Sequence, residues 1–215
     1  DVYKRQNLKV PDQYKNKYLD ILFKHQAAIS ITKFDLGRAK NFNHKIFLKD
    51  DNPVYRKQFK IPEAHQTFIE ATLDEWLKLG VVKRTNSLYN SPLFCVPKKQ
   101  GQGLRIVQDF RELNNHSHID KYSMKEITEC IGDIGRANST IFSTLDLTSG
   151  FWQMKLDDDS QPLTAFTIPG KGQFAWVTSP MGLLGCPASF QRLMEAVLRN
   201  IKNVLVLSLI HISEP

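Results

Sequence analysis

Cysteine is scarce in this 215-residue chain, and Cys95, Cys130 and Cys186 lie far apart. No Cys-x-x-Cys pair occurs, which excludes a zinc knuckle, and the odd, scattered set excludes a disulfide framework. Long apolar runs are also missing, since none approaches the roughly 20 residues that a membrane-spanning helix needs. No signal-peptide pattern opens the chain. These absences predict a reducing, intracellular setting and no membrane partner.

Acidic residues are too few to balance the basic ones in the first half of the chain. Residues 1–115 carry 21 Lys and Arg against 12 Asp and Glu, whereas residues 116–215 carry 8 against 10. A basic half beside a slightly acidic half fits a polyanion-binding surface next to a site that holds cations. Solvated surface lysines without any partner explain the charge equally well.

The most informative stretch runs from Ile141 to Gln153. An apolar run leads to Asp146, then to the small-residue turn Thr148-Ser149-Gly150 and two aromatic residues. This pattern predicts a buried strand that ends in a tight turn. A carboxylate in such a strand is costly to bury unless it is paired or binds a cation, so Asp146 is a candidate metal ligand. The other interpretation is a strand-end aspartate that caps the following turn.

Leu93–Pro97 and Leu104–Val107 predict a β-hairpin whose connecting loop carries lysines and glycines. The Gly-x-Gly of the loop lacks a third glycine and no helix follows at once, which excludes a dinucleotide-binding fingerprint. A basic, flexible loop suits the gripping of a phosphate chain, with Lys98 and Lys99 at its tip and the guanidinium of Arg105 behind them. An exposed hairpin with scattered charge fits the same residues.

The remaining elements follow from the spacing of apolar residues. Helices are predicted at residues 14–29, 62–80, 124–134 and 187–201. A second hairpin is predicted at 164–177, an extended segment at 40–54 and a further strand at 203–206. Asp109 and Arg111 can pair with each other or with neighbouring residues, and such pairs are worth little if they are exposed. The three adjacent acids at 157–159 point in different directions, so a solvated turn or the start of a helix is favoured over a metal site.

Five short motifs then occur in a fixed order and spacing. They are Asp109–Asn114, Leu145–Leu147, Gly150–Gln153, Thr164–Thr167 and Pro187–Gln191. With these motifs the chain closely resembles the reverse transcriptases of gypsy-like LTR retrotransposons, over about residues 40–206. Each motif by itself is weak, but the ordered set is specific.

The resemblance implies an α+β right-hand polymerase fold. It divides the chain into a lead-in at 1–39, of which 1–6 look non-native, and a reverse transcriptase domain at 40–206. Fingers would comprise about 1–118 and 154–185, and the N-terminal half of the palm about 119–153 and 186–206. The family places a Tyr-x-Asp-Asp hairpin after the strand at 203–206, where this chain reads Leu207–Pro215 instead. We therefore expect a chain truncated before that hairpin, with a non-native tail at 207–215.

The resemblance also implies a metal site. Asp146 matches the first metal-binding aspartate of the palm, and the backbone carbonyl of Leu147 would be a further ligand. Two Mg²⁺ ions, for which Mn²⁺ can substitute, would bridge the primer 3′-hydroxyl and the triphosphate. The two aspartates that complete this site in the family are missing from the sequence, so we expect the chain to be inactive by itself.

Further residues match positions that bind the incoming dNTP in the family. Lys98, with Lys99 as its alternate, and Arg105 would grip the triphosphate, and Leu147 would lie beside the nucleotide. Phe151 matches the aromatic residue that rejects a 2′-hydroxyl by steric clash, while core packing is its other interpretation. Met181 and Gly182 match a loop that lines the nucleotide and template pocket. Retroviral relatives often carry glutamine at the position of Met181.

The implied function is RNA-directed DNA synthesis, in which a dNTP is transferred to a primer 3′-hydroxyl on an RNA or DNA template. The implied partners are the primed template, dNTPs and the RNase H and integrase regions of a parent polyprotein, in a cytoplasmic virus-like particle. The alternative is a non-catalytic basic nucleic-acid-binding module derived from a retroelement. The presence of Asp146 and Phe151 favours the enzyme, because phosphate-backbone binding needs neither residue.

Overall fold

A computed structural model describes residues 11–32, 34–98, 103–120, 122, 125–140 and 142–206. Within these ranges the helices are α1 (Asp12–Lys24), α2 (Glu63–Lys78), α3 (Arg111–Asn115), α4 (Ile127–Arg136) and α5 (Cys186–Leu198). The strands are β1 (Asn43–His44), β2 (Val82–Arg84), β3 (Leu93–Pro97), β4 (Leu104–Gln108), β5 (Lys155–Leu156), β6 (Phe166–Ile168) and β7 (Gly172–Trp176). Short 3-10 helices occur at Gln26–Ala28, Gly150–Gln153 and Pro162–Thr164. The proposed non-native flanks, 1–6 and 207–215, lie outside the described residues.

The described strands form three small sheets. An antiparallel sheet has the order β2-β7-β6, an antiparallel hairpin joins β3 to β4, and a parallel pair joins β1 to β5. Helices combined with mainly antiparallel sheets agree with the predicted α+β class.

An aromatic cluster connects α2 to the three-stranded sheet. Ile69, Leu73 and Trp76 of α2 are buried, as their helical spacing predicts. The ring centroid of Trp76 lies 4.8 Å from that of Trp176 and 6.3 Å from those of Phe166 and Trp152. Edge-to-face and tilted contacts at these distances stabilise the core beyond the burial of apolar area.

The side-chain amide of Gln108 links two of the sheets. Gln108 is buried at the end of β4, where its Nε2 donates to the carbonyl oxygen of Thr164 at 2.9 Å. Its Oε1 accepts a hydrogen bond from the indole Nε1 of Trp176 at 2.7 Å. One amide therefore satisfies a buried donor and a buried acceptor of the β6–β7 region from the β3–β4 hairpin.

Other amides make similar links. Gln173 Nε2 of β7 donates to the carbonyl oxygens of Ser87 at 3.1 Å and Tyr89 at 2.9 Å. Gln58 forms two bonds with Leu93 at the edge of β3, through its Nε2 at 2.7 Å and its Oε1 at 2.8 Å. These side chains hydrogen-bond backbone groups that a further strand would pair with in a larger sheet.

Most of the predicted elements are confirmed. The four predicted helices and both hairpins are present, although Pro62 precedes the first residue of α2 rather than occupying it. In the extended segment at 40–54 only Asn43–His44 is a strand, but Ile46 and Leu48 face the core in alternation with exposed neighbours. Asp157–Asp159 lie in a turn, as predicted. In the described part of the chain, no helix has the length and apolar character that crossing a membrane requires.

The buried strand predicted around Asp146 is wrong for the residues described. Residues 142–147 form no strand, and Phe142 and Leu145 are 64% and 89% exposed. None of the three described sheets includes this segment. Without a neighbouring strand, its backbone groups gain no ladder bonds and its apolar side chains have no surface to cover.

Two further predictions differ from the structure, again because the described residues provide no neighbouring element for the segment. The strand predicted at 203–206 is not formed, and these residues are irregular or in a turn. Helix α4 forms, but Ile127, Ile131 and Ile134 on its apolar side are exposed, and only Cys130 of the helix is buried. The amphipathic pattern predicts the helix correctly, whereas what covers its apolar side depends on tertiary packing.

His44 joins β1 to α5 in the interior. Its Nδ1 lies 2.8 Å from the hydroxyl oxygen of Ser189, and the residue is buried. Burial lowers the pKa of the imidazole from 6.5 to about 4, against a smaller opposing effect of Asp120. The folded chain therefore holds a neutral histidine at neutral pH.

Replacing Gln108 by leucine should destabilise the fold. Gln108→Leu keeps the size of the side chain but leaves the Trp176 indole N–H and the Thr164 carbonyl without their partner, at a cost of about 2–4 kcal/mol. Urea unfolding measures the loss. Gln66→Leu on the exposed side of α2 is the matched control and should change stability by less than about 0.5 kcal/mol. Equal effects of the two substitutions would show that the Gln108 bonds contribute nothing.

Acid should weaken the fold through His44. Below pH 6.5 the unfolded chain takes up a proton that the folded chain accepts only near pH 4, so stability falls as the pH decreases through this window. The full effect is on the order of 3 kcal/mol. Unfolding free energies measured from pH 7.5 to 4.5 should lose this component in His44→Gln and keep it in His118→Gln, where the replaced ring is exposed. Identical pH slopes in wild type and His44→Gln would refute the assignment.

Candidate active site

Asp146 lies in the exposed segment that precedes the 3-10 helix Gly150–Gln153. Within the described residues its carboxylate makes no hydrogen bond and no ion pair, so it does not cap the following turn through Thr148 or Ser149. Leu147 beside it is also exposed. The carboxylate is therefore available to a ligand, and the turn-capping interpretation is not supported.

The turn after Asp146 is fastened to the core. Ser149 adopts a left-handed conformation with φ 48°, and the N–H of Trp152 donates to its carbonyl oxygen at 2.8 Å. The Trp152 ring packs on Trp76 and Trp176, and Arg38 Nη1 donates to the Trp152 carbonyl oxygen at 2.9 Å. The exposed Asp146 thus lies six residues before Trp152, which anchors the turn to the core.

Phe151 is held from behind by a second ring. Its centroid lies 5.4 Å from that of Phe190 on α5, with the two ring planes at 80°. Gly150 makes this approach possible, since a Cβ at that position would lie only 3.0 Å from Phe190 Cζ. Phe151 is half-buried and packs against the core, so its position is fixed whether it serves packing or a substrate.

The β3–β4 hairpin presents Lys98 and Arg105 on one face. Arg105 pairs with Val96 in the ladder, and the backbone N–H of Lys98 donates to the Gly103 carbonyl oxygen at 2.8 Å. Strand alternation places Cys95 and Ile106 on the opposite face, where they pack against the core. Both basic side chains are exposed, and neither makes an ion pair within the described residues. Lys99 lies outside them.

Asp109 pairs both with Arg111 and with the more distant Arg56, and its carboxylate is buried. The Asp109 side chain is 3% exposed and accepts two bonds from the Arg111 guanidinium, each 2.8 Å long, and one from Arg56 at 3.2 Å. Chiefly through the hydrogen bond from Arg111, the pKa of the Asp109 carboxyl is lowered to about 2. The Arg111 side chain remains 80% exposed. A buried carboxylate thus orients an exposed guanidinium, a burial that sequence patterning did not reveal.

Met181 and Gly182 lie in the loop between β7 and α5. Met181 is 68% exposed, and Gly182 has φ +97°, a conformation that favours glycine. The predicted site residues thus belong to three groups: the segment from Asp146 to Phe151, the hairpin face and this loop. In the described part of the chain, no hydrogen bond or ion pair joins one group to another.

The described residues do not form a complete metal site. Asp146 is its one candidate carboxylate, and no group of three or more His, Cys, Asp or Glu side chains within those residues could hold an ion. Mg²⁺ binds oxygen ligands and retains several waters, so one exposed carboxylate fits a ligand position but not a whole site.

Comparison with known proteins identifies similar sequences. Residues 96–212 match the model of a family described as reverse transcriptase (RNA-dependent DNA polymerase). The chain is 31% identical over 192 residues to the retrovirus-related Pol polyprotein from transposon 297 of Drosophila melanogaster, covering 87% of the chain and 17% of that protein. Identity to the Pol polyprotein from the Drosophila melanogaster transposon gypsy is 31% over 195 residues, covering 88% and 19%. The chain thus spans less than a fifth of the length of these relatives.

Solved structures share the fold. The native prototype foamy virus protease-reverse transcriptase superposes with a TM-score of 0.78 at 30% identity, covering 96% of this chain and 28% of that one. The foamy viral protease-reverse transcriptase in complex with an RNA/DNA hybrid gives a TM-score of 0.79 at 27% identity, covering 95% and 27%. The predicted polymerase fold is confirmed by this similarity.

A methyl group at Gly150 should disturb the Phe151–Phe190 contact. Gly150→Ala places a Cβ 3.0 Å from the Phe190 ring, and the forced shift should cost about 1–3 kcal/mol. Gly135→Ala on α4 is the control, because a Cβ there meets nothing within 4 Å and should stabilise the helix by up to about 1 kcal/mol. Thermal unfolding of the two variants measures the difference. Equal stability of both would mean that Phe190 does not pack tightly behind residues 150–151.

Proposed function

The chain belongs to the reverse transcriptase (RNA-dependent DNA polymerase) family, and from this premise we propose that it contributes nucleotide-binding and catalytic residues to RNA-directed DNA synthesis. The reaction is transfer of a nucleotide from a dNTP to a primer 3′-hydroxyl on an RNA or DNA template. The observation that carries the proposal is the placement of Asp146. It is an exposed carboxylate without a partner among the described residues, and it precedes a turn anchored to the aromatic core, in a fold shared with foamy virus reverse transcriptase.

Asp146 is proposed as one metal ligand of the polymerase, with the backbone carbonyl of Leu147 beside it. When bound, two Mg²⁺ or Mn²⁺ ions stabilise charge on the attacking and leaving oxygens. The exposure of Asp146 supports this role, since a ligand position must be reached by ions and by phosphate oxygens. No group of three or more ligating side chains occurs among the described residues, so we assign to this segment one ligand and no complete catalytic step.

The hairpin is proposed as the triphosphate grip. Lys98 and Arg105 share one exposed face and lack ion-pair partners among the described residues, which leaves their charge for phosphate oxygens. The planar guanidinium of Arg105 can bind two oxygens at once, whereas Lys98 acts as a point charge. Lys99 is the proposed alternate for Lys98.

Phe151 is proposed to select dNTPs over rNTPs, and the Met181–Gly182 loop to line the nucleotide and template pocket. Selection by steric clash requires a ring that cannot move away. The edge-to-face contact with Phe190 and the anchoring of Trp152 provide that rigidity.

The proposed partners are a primed RNA or DNA template and dNTPs. The similar foamy viral enzyme has been solved with an RNA/DNA hybrid and with double-stranded DNA, which supports this assignment. The basic balance of residues 1–115 favours attraction to phosphate backbones. RNase H and integrase regions of a parent polyprotein, and assembly in a cytoplasmic particle, stay predictions from the resemblance.

Asp146→Asn tests the proposal in a longer protein, called here the polymerase-length protein, which contains this segment together with a complete palm. Loss of one carboxylate from the metal site should reduce primer extension by at least about 100-fold, because transition-state charge is less stabilised. Template-primer affinity should stay within about twofold, since a negatively charged metal ligand is not needed to bind the phosphate backbone. Asp159→Asn, in the exposed turn, is the control and should extend normally. Near-normal extension by Asp146→Asn with Mg²⁺ would refute the role.

A further inference from the structure

We propose that Asn114 is a positioning residue that fixes the loop at 182–184 and thereby sets where Met181 and Gly182 meet the incoming nucleotide. The inference rests on the proposed function, because it requires this loop to line the nucleotide pocket. Asn114 ends the Asp109–Asn114 motif, which contains none of the residues proposed above to bind metal or nucleotide.

A single side-chain amide makes both contacts with the loop. Asn114 Nδ2 donates to the Gly182 carbonyl oxygen at 2.9 Å, and the backbone N–H of Leu184 donates to Asn114 Oδ1 at 3.0 Å. The two loop groups lie two residues apart, so the amide pairs with them as a neighbouring peptide strand would. Because one side chain supplies both a donor and an acceptor, it fixes the orientation of the loop as well as its distance from α3.

The helix side of this contact is rigid. Phe110 and Leu113 of the same segment are buried, and the backbone N–H of Asn114 donates to the Phe110 carbonyl oxygen at 2.7 Å. Just before the helix, the buried Asp109 carboxylate holds Arg111 and Arg56. The asparagine therefore projects from a fixed support, and the loop is the part that would move without it.

Besides Asn114, the loop is held by the side chain of Leu183, which is buried in the core between the two bonded backbone groups. Among the described residues, the remaining backbone hydrogen bonds close to it lie at its ends, from the Ser179 N–H to the Met154 carbonyl oxygen and from the Cys186 N–H to the Leu183 carbonyl oxygen. Gly182 lies over Phe110, since a Cβ there would be 3.5 Å from Phe110 Cδ2. Between these ends, Asn114 holds the backbone directly next to the exposed Met181.

Hydrogen exchange in the 215-residue chain tests the contact itself. In Asn114→Leu, which has a similar volume and no hydrogen-bonding groups, exchange of the Leu184 amide should accelerate by about tenfold or more. Asn114→Asp keeps an acceptor for that amide but loses the donor to Gly182, so protection should fall less. Asn115→Leu, at the exposed end of α3, should leave the Leu184 amide unchanged. Unchanged exchange in Asn114→Leu would overturn the proposal.

Nucleotide kinetics in the polymerase-length protein separate positioning from a merely structural role. Asn114→Leu should raise the KM for dNTP about tenfold while kcat stays within about twofold, because a displaced loop weakens nucleotide binding. A lower kcat with unchanged KM would indicate loss of active enzyme only and would overturn the proposal. Asn115→Leu should leave both constants at wild-type values.

Met181→Ala distinguishes this inference from the proposed function on which it depends. If Met181→Ala changes the KM for dNTP and Asn114→Leu does not, the loop lines the pocket but Asn114 does not position it. If neither variant changes KM while Asp146→Asn abolishes extension, the chain is a polymerase whose nucleotide pocket lies elsewhere, and the inference fails. A rise in KM for both variants, with faster Leu184 exchange in Asn114→Leu, is the expected result.

Discussion

The described part of this molecule depends on hydrogen bonds that pair its buried backbone N–H and C=O groups, although its sheets are small. Each of its three sheets has only two or three strands, so ladder bonds alone leave many donors and acceptors unpaired. Side-chain amides supply the missing partners. Gln108 joins β4 to the Thr164 carbonyl and the Trp176 indole, and Gln58 and Gln173 make comparable bonds elsewhere. An amide can do this because it carries a donor and an acceptor on one short, planar group.

The contacts that hold these elements together explain where the proposed site residues lie. The Gln108 amide links the β3–β4 hairpin to the core, and the Asn114 amide holds the loop at 182–184. The turn at 148–153 is anchored separately, by the ring of Trp152. Lys98, Arg105 and Met181 are therefore exposed on rigid supports. Such placement suits a site that binds a charged nucleotide, because a backbone that is already held in place loses little further entropy on binding.

The segment around Asp146 is held differently from the hairpin and the loop. Its turn is anchored by Trp152, yet residues 142–147 pair with none of the described strands, and the apolar side of α4 is also exposed. The proposed catalytic acid thus lies at the boundary between an ordered core and an apolar surface that nothing in the described residues covers. The residues proposed to bind nucleotide lie on a hairpin and a loop that are held to the core, whereas the proposed metal site would need ligands that the described residues do not bring together.

The sequence by itself determined the family, the order of the helices and hairpins, and the candidate site residues, because ordered motifs and local periodicity are encoded in short stretches. Helix α2 and both hairpins formed as predicted, since each depends on neighbouring residues. Only the tertiary structure decided that residues 142–147 stay unpaired, that Asp109 is buried between two arginines, and that Asn114 reaches a loop about 70 residues away. These features depend on partners distant in sequence, and burial or strand pairing cannot be inferred from a segment without knowing what packs against it.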